Sequence, residues 1–348
     1  MFRFNSYSDK GLTGLSNMGN TCFANTCIQM LSHTYELNEV LNLGKYKQFL
    51  KNTPESKLLT EWDTLRRLMW SQNCIIEPAR FIQTIQRVAA VKGRVLFTGF
   101  AQNDVSEFLL FVIDCFHTGI SRPVNMNIKG DSKTSTDKLA VMVYDMIKST
   151  YSKEYSEVWN IFYGTHISEI VSMQDHTTVL SQTPEPFFTI SLPIPSTTPQ
   201  TDIYTCMNEY VKGEELVGEN AWFNEKTKQK EHVVKRIKYW GFPTILCIDF
   251  KRFDSTNKKK QNLVVFPLED FNLTNYVVGY NKHSYIYDLY GVCNHSGSVL
   301  GGHYTGYVKN ANGKWYEFND TNVTLVTNPS VVISPRAYCL FYRKKSVV

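Results

Sequence analysis

The 348-residue chain predicts an α+β fold, because its apolar residues change period part-way along. From Cys22 to about Phe116 they recur at three- and four-residue spacing, as on one face of a helix. Beyond residue 165 they alternate with polar residues, as in half-buried strands. Helices first and strands later is the order of an α+β domain. Composition agrees: 43% apolar, 14% aromatic and 20% charged residues give a globular chain with ample core material.

Taken in order, Phe23, Cys27, Met30 and Leu31 mark the first helix, and Leu37, Val40 and Leu41 the next. Leu58, Trp62, Leu65 and Met69 trace one face of a longer helix. Pro78 suits a first helical position and opens another helix, with Phe81, Ile85 and Val88 inward. Gln102 to Phe116 predicts a helix with Val105, Phe108, Leu109, Val112 and Phe116 on a broad apolar stripe. Among the strands, Phe188, Ile190, Leu192 and Ile194 alternate with polar residues, and Ile245 to Ile248 is a continuous apolar run, as in a strand covered on both faces. Tyr285 to Cys293 predicts a strand running into an Asn294-His295-Ser296-Gly297 turn. Asn312-Gly313 is a strong hairpin signal between Gly302–Lys309 and Lys314–Phe318, and Tyr338 to Tyr342 closes the set.

Charge and cysteine usage narrow the class. The net charge is +5 with scattered cations, and the one tight run, Lys258-Lys259-Lys260, reads as a solvated loop rather than a nucleic-acid patch. None of the eight cysteines, at 22, 27, 74, 115, 206, 247, 293 and 339, forms a zinc-type pair, and most lie in apolar runs, as reduced intracellular thiols do. Met1 to Lys10 lacks an apolar core of signal-peptide length, and no 18 apolar residues run together. The expectation is a soluble cytoplasmic or nuclear protein, monomeric, without nucleic-acid or membrane partners. No cofactor is expected.

Two stretches carry chemistry. Gly14-Leu15-Ser16-Asn17-Met18-Gly19-Asn20-Thr21 is a loop by its glycines and asparagines, and it delivers Cys22 to a helix N-terminus. A thiol there ionises more readily, which is the setting of a nucleophile, although position alone is equally that of a buried structural cysteine. Far downstream, Gly301-Gly302-His303-Tyr304 sets a histidine behind two glycines that leave room for a substrate backbone.

Together these stretches resemble the ubiquitin-specific protease family of cysteine deubiquitinases. The family's cysteine box, GL-x-N-x-G-N-T-C, runs unbroken from Gly14 to Cys22; its histidine box is matched by Gly301 to Tyr304 and then Trp315-Tyr316-Glu317-Phe318-Asn319-Asp320. The resemblance covers about residues 11 to 343 and implies a papain-like fold. One catalytic domain over 11–345 would divide into a helical thumb (about 11–120), antiparallel β fingers (about 165–182 and 214–240) and a β palm. It implies cleavage after the terminal glycine of ubiquitin, with Cys22 as nucleophile and His303 as base. Asn319 would orient the histidine, with Asp320 as the alternative, and Asn17 would donate to the oxyanion, with Asn20 holding the turn. The stretch Gln102 to Phe108 resembles the family's Q-Q-D-[AS]-x-E-F segment, so Asp104 and Glu107, three apart on a helix face, would meet arginines of ubiquitin's tail. Gly301, Gly302 and Tyr304 would shape the slot for its glycines. A protease for another ubiquitin-like modifier, or an inactive ubiquitin-binding module, are the alternatives.

The chain departs from many relatives in the fingers. Where two C-x-x-C zinc pairs would fall, around Val171–His176 and Trp222–Glu225, no cysteine is present. Met173, His176 and Glu225 would make a thiolate-free set that is unusual for structural zinc. Zinc-free fingers, held by strand pairing and by Trp222 and Phe223, are therefore expected.

Overall fold

The computed structural model describes residues 4–99, 101–195, 198–299 and 301–346. Its first third is helical: α1 (Cys22–Ser32), α2 (Tyr35–Asn42), α3 (Pro54–Ser71), α4 (Ala79–Val91) and α5 (Val105–Ile120). Two short strands, β1 (Gly14–Leu15) and β2 (Ile75–Ile76), pair in parallel and fix the loop ahead of α1. The residues that gave the helical spacing are the ones removed from water: Leu58, Trp62 and Met69 of α3 and Val105, Phe108, Leu109, Val112 and Phe116 of α5 are all buried. Burying each such side chain contributes about 1.5–3 kcal/mol. The last predicted helix begins later than its apolar pattern implied. Asp104 is the N-cap of α5, accepting from the N–H groups of Ser106 and Glu107, so Gln102 and Asn103 lie outside it.

Two further helices, α6 (Ser135–Tyr151) and α7 (Glu157–Phe162), precede the strands. Next come β3 (Gly164–Ser172), β4 (Val179–Phe187), β5 (Thr189–Pro193), β6 (Gln200–Asp202), α8 (Ile203–Val211), β7 (Glu214–Leu216), β8 (Trp222–Asn224), β9 (Gln229–Glu231) and β10 (Val233–Gly241). A four-stranded sheet in the order β4-β3-β10-β7 forms one projecting unit, and β8 pairs with β9 beside it. The remaining strands are β11 (Ile245–Lys251), β12 (Leu263–Val265), β13 (Phe271–Asn272), β14 (Ile286–Ser298), β15 (Gly301–Lys309), β16 (Trp315–Asn319), β17 (Asn322–Val326) and β18 (Ala337–Lys344). The larger sheet runs β17-β16-β15-β14-β18-β11-β5, with β13 on the side of β14. Ile245 to Ile248 lie fully buried within it.

One stretch reads differently in three dimensions. Asn294-His295-Ser296-Gly297 is strand, not turn, because Asn294 pairs with Thr305, His295 with Tyr304 and Ser296 with His303 along β15. Ladder hydrogen bonds with a long partner outweigh local turn preference.

The β3–β10 unit is held by something other than the expected aromatics. Phe223 is 46% exposed. Glu169 of β3, by contrast, is fully buried between Arg236 Nε at 2.5 Å and Lys238 Nζ at 2.9 Å on β10, and accepts from Gln182 of β4 at 2.8 Å. Burial alone would raise its pKa, but these three donors outweigh that and hold it below the usual carboxylate value. Its contribution is therefore present above the unfolded-state pKa and is lost as pH falls through the lower folded value. Glu169→Ala is expected to cost about 3 kcal/mol in urea unfolding at pH 7, since two cations lose the anion that solvates them. A loss below ~1 kcal/mol, the range of ordinary surface substitutions, would contradict this. At the two places where the resemblance would put zinc pairs, polar side chains are engaged within the protein. Asp175 caps the β3–β4 turn by accepting from Thr177 and Thr178, and Asn224 donates to Glu231. Among the described residues, no group of three or more His, Cys, Asp or Glu is placed to hold a metal ion.

Candidate active site

The sulfur and the imidazole sit where α1 crosses β15. Gly306 and Gly291 allow that crossing, since a Cβ on either would run into Met30. Cys22 is the first residue of α1, and the loop before it is tightly knit. Asn17 Oδ1 accepts from the N–H groups of Gly19 and Thr21, both at 3.1 Å, and Thr21 Oγ1 accepts from Met18 N–H at 2.8 Å. Asn20 and Gly19 take left-handed angles, φ 54° and 96°, which asparagine and glycine tolerate. Gly14 packs directly on the backbone of Thr321, and Leu15 N–H donates to Asp320 O at 2.8 Å. The nucleophile loop and the end of β16 are therefore in contact, although some 300 residues separate them.

Cys22 is buried, and its thiol is pushed up from its ordinary value. Burial is the first cause, and Asp320 adds to it; the backbone N–H groups of Tyr304, Phe23 and Cys22 itself pull the other way. The helix N-terminus thus moderates, but does not overcome, the cost of a buried thiolate. In the free protein the sulfur is expected to rest as a neutral thiol and to react through its minor thiolate fraction. Its iodoacetamide alkylation should be slow at pH 7 and rise with pH through and beyond the ordinary thiol range; a rate already at plateau at pH 7 would show the reverse.

His303 Nε2 lies 2.8 Å from Asn319 Oδ1, a pairing in which the ring nitrogen donates to the amide oxygen. Asp320 turns away from the histidine. With φ 48°, it presents its carboxylate to α1 and the loop before it, accepting from Asn17 Nδ2 at 3.0 Å and from Asn25 Nδ2 at 2.8 Å. Asn25, buried one turn along α1 from Cys22, also reaches Ser16 O at 3.2 Å. Sequence reasoning gave it no role, though a buried polar residue three after the cysteine was a signal.

The expected tail-binding residues divide. Asp104 borders a cavity of about 250 Å³ with Gln102, Phe253, His295, Ser298 and Tyr304. Its carboxylate also accepts from Tyr338 OH. Glu107 is exposed and borders a different hollow with Lys92, Arg94 and Leu110, because N-capping at Asp104 ends the helix face the two were expected to share. Gly302 has both peptide groups taken by Gln102 of the first cavity, whose Nε2 donates to Gly302 O at 2.9 Å and whose Oε1 accepts from Gly302 N–H at 2.7 Å. Gly301 is exposed, while Tyr304 is buried and its hydroxyl pushed far up by burial and by Asp104.

A model of one family, ubiquitin carboxyl-terminal hydrolase, matches residues 13–342. The chain belongs to the ubiquitin carboxyl-terminal hydrolase family. Human ubiquitin carboxyl-terminal hydrolase 2 is 31% identical over 98% of this chain and 56% of its own length. Ubiquitin carboxyl-terminal hydrolase 21 from human is 30% identical over 96% of the chain and 61% of its own length. The chain thus spans little more than half of such relatives. A chain of the SAGA Ubp8/Sgf11/Sus1/Sgf73 DUB module bound to ubiquitin aldehyde has the same fold, with TM-score 0.73 at 23% identity over 98% of this chain and 71% of that one. This hydrolase-family chain is therefore α+β with the papain-like arrangement, a helical layer meeting a β layer at a cleft. No helix among its described residues is long and apolar enough to cross a membrane.

Proposed function

We propose that the chain is a thiol-dependent deubiquitinase, hydrolysing the peptide or isopeptide bond after the C-terminal glycine of ubiquitin. The observation that carries this reading is the contact of Cys22 with β15: the sulfur meets the N–H of Tyr304, the residue after His303, while His303 is held by Asn319. Asn319 Oδ1 accepts a hydrogen bond from the Nε2–H, which stays on the ring and leaves Nδ1 to accept the proton of Cys22. The thiolate then attacks the glycine carbonyl, the leaving amine takes the proton back from His303, and water repeats the sequence on the acyl-enzyme. Asn17, oriented by Asp320, and backbone N–H groups around Cys22 stabilise the oxyanion. Asp104, and Glu107 at the outer end, attract the basic tail, while Gly301, Gly302 and Tyr304 bound the slot for its glycines. The working unit is a single monomeric domain over residues 11–345, with thumb, fingers and palm, acting on ubiquitin and ubiquitylated proteins in cytoplasm or nucleus.

A ubiquitin bearing a C-terminal electrophile tests this. The expected result is a single covalent adduct heavier by one ubiquitin, and release of fluorophore from a ubiquitin C-terminal amide. Capture by another modifier's electrophile with none by ubiquitin's would reassign the substrate. Tight ubiquitin binding without adduct would make the chain a binding module.

A further inference from the structure

Lysine side chains on loops normally stand in water, and Lys258 does so, but Lys259 and Lys260 do not. Lys260 Nζ donates to Ile194 O at 2.8 Å. Lys259 reaches β14, where its Nζ donates to His295 O at 2.5 Å and lies 3.0 Å from His295 Nδ1. Its partners are an imidazole and a carbonyl, not a carboxylate. The loop behind it is built for this: Lys259 bridges to Phe253, and the fully buried Arg252 donates to the carbonyls of Ala337, Lys260 and Asn262. His295 is 4% exposed, and its ring packs on Tyr304 at 4.7 Å and on Tyr338 and Phe253, each at 5.8 Å. Directly above Nε2 lies Gly302; a Cβ there would run into the ring and into Ser296 O.

We infer that Lys259 is a positioning residue for the diglycine slot, fixing the neutral imidazole of His295 that floors Gly302 and pinning the loop that walls the cleft. This rests on the deubiquitinase reading and adds a specific device to it. An ammonium can only donate, so Nδ1 accepts and the ring proton sits on Nε2, beneath Gly302. The slot's depth beside His303 is then set by one ring in one orientation. The groups facing the pair are Asp104 at the start of α5, Arg252 behind Lys259, and the hydroxyls of Tyr304 and Tyr338. Burial and the charge of Lys259 hold His295 down at about 4 against the pull of Asp104, and burial and Arg252 hold Lys259 down at about 8. At neutral pH the pair is ammonium against neutral imidazole. Deprotonating Lys259 leaves a neutral amine, a much weaker donor than the ammonium, so the slot loosens as pH rises through about 8.

The test is Lys259→Met and Lys259→Arg, assayed on a ubiquitin C-terminal fluorogenic amide and by ¹³C-histidine NMR. In Lys259→Met, KM is expected to rise about tenfold with kcat changed less than about threefold, as for loss of one charged hydrogen bond. The His295 titration should move upward from its wild-type position. In the wild type KM should climb between pH 7.5 and 9; in Lys259→Arg, whose guanidinium keeps its proton, that climb should vanish. Unchanged KM together with an unmoved His295 titration would overturn the inference, and so would an alkaline rise in KM that persists in Lys259→Arg. Lys259→Gln carries the same expectations should the methionine variant not fold. A wild type that ignores the ubiquitin substrate would instead defeat the deubiquitinase reading, and the histidine titration would still decide this one.

Discussion

Cys22→Ala is expected to lower turnover of a ubiquitin C-terminal amide on the order of 10⁶-fold, the scale of losing a protease nucleophile, and to abolish covalent capture. No other thiol can substitute. Six of the remaining seven cysteines are buried and the seventh, Cys74, sits behind the loop on the approach to β2. The substitution removes one sulfur at the head of α1 and no hydrogen bond on which the Asn17–Thr21 loop depends, so the thermal midpoint should hold within a few degrees. Ubiquitin affinity should be retained or improved, because the tail no longer competes with a reactive group. Residual activity above about a hundredth of wild type would mean that the sulfur at position 22 is not the attacking atom.

The second large effect separates neighbours. Asn319→Ala takes away the acceptor that fixes the tautomer and orientation of His303, and kcat is expected to fall about 10²–10⁴-fold. Asp320→Ala releases Asn17 and Asn25 together, so the proposed oxyanion donor loses its anchor and the expected loss is about 10²–10³-fold. The two can be told apart by Asn319→Asp and Asp320→Asn. The first keeps an acceptor for the imidazole and should recover most of the rate. The second exchanges one of two acceptor oxygens for an N–H that faces an amide donor, and should recover little. If Asp320→Ala abolished turnover while Asn319→Ala left it intact, the orienting role would pass to Asp320.

Much of this arrangement could be read beforehand. Helical spacing in α1, α3, α4 and α5 was visible because each buries a full stripe. The Asn312-Gly313 hairpin was visible because Gly313 must take φ 80°. Helix α6 was not, since only Ala140 and Val143 of its 17 residues are buried and its apolar pattern is correspondingly thin. Strand β17, mostly exposed, hid for the same reason. At the site, motif order pointed to Cys22, His303 and Asn319. What was missed depends on side-chain reach. Asp104 reads as helical by spacing, yet its carboxylate prefers the cap, a preference the sequence carried in an acidic residue just before the apolar run. Lys259 and His295 lie in stretches whose local signals said solvated loop and turn. Only the β11–β18–β14 order of the large sheet, which joins distant segments, brings them together.

The stitch between Leu15 and Asp320 has a consequence for how the molecule is born. Cys22 leaves the ribosome 281 residues (303 − 22) before His303, so the growing polypeptide carries the cysteine through that interval with no base to arm it. The proposed mechanism requires β15 and β16 to emerge and dock on the waiting helix, so a ribosome stalled before that point holds a cysteine without its base.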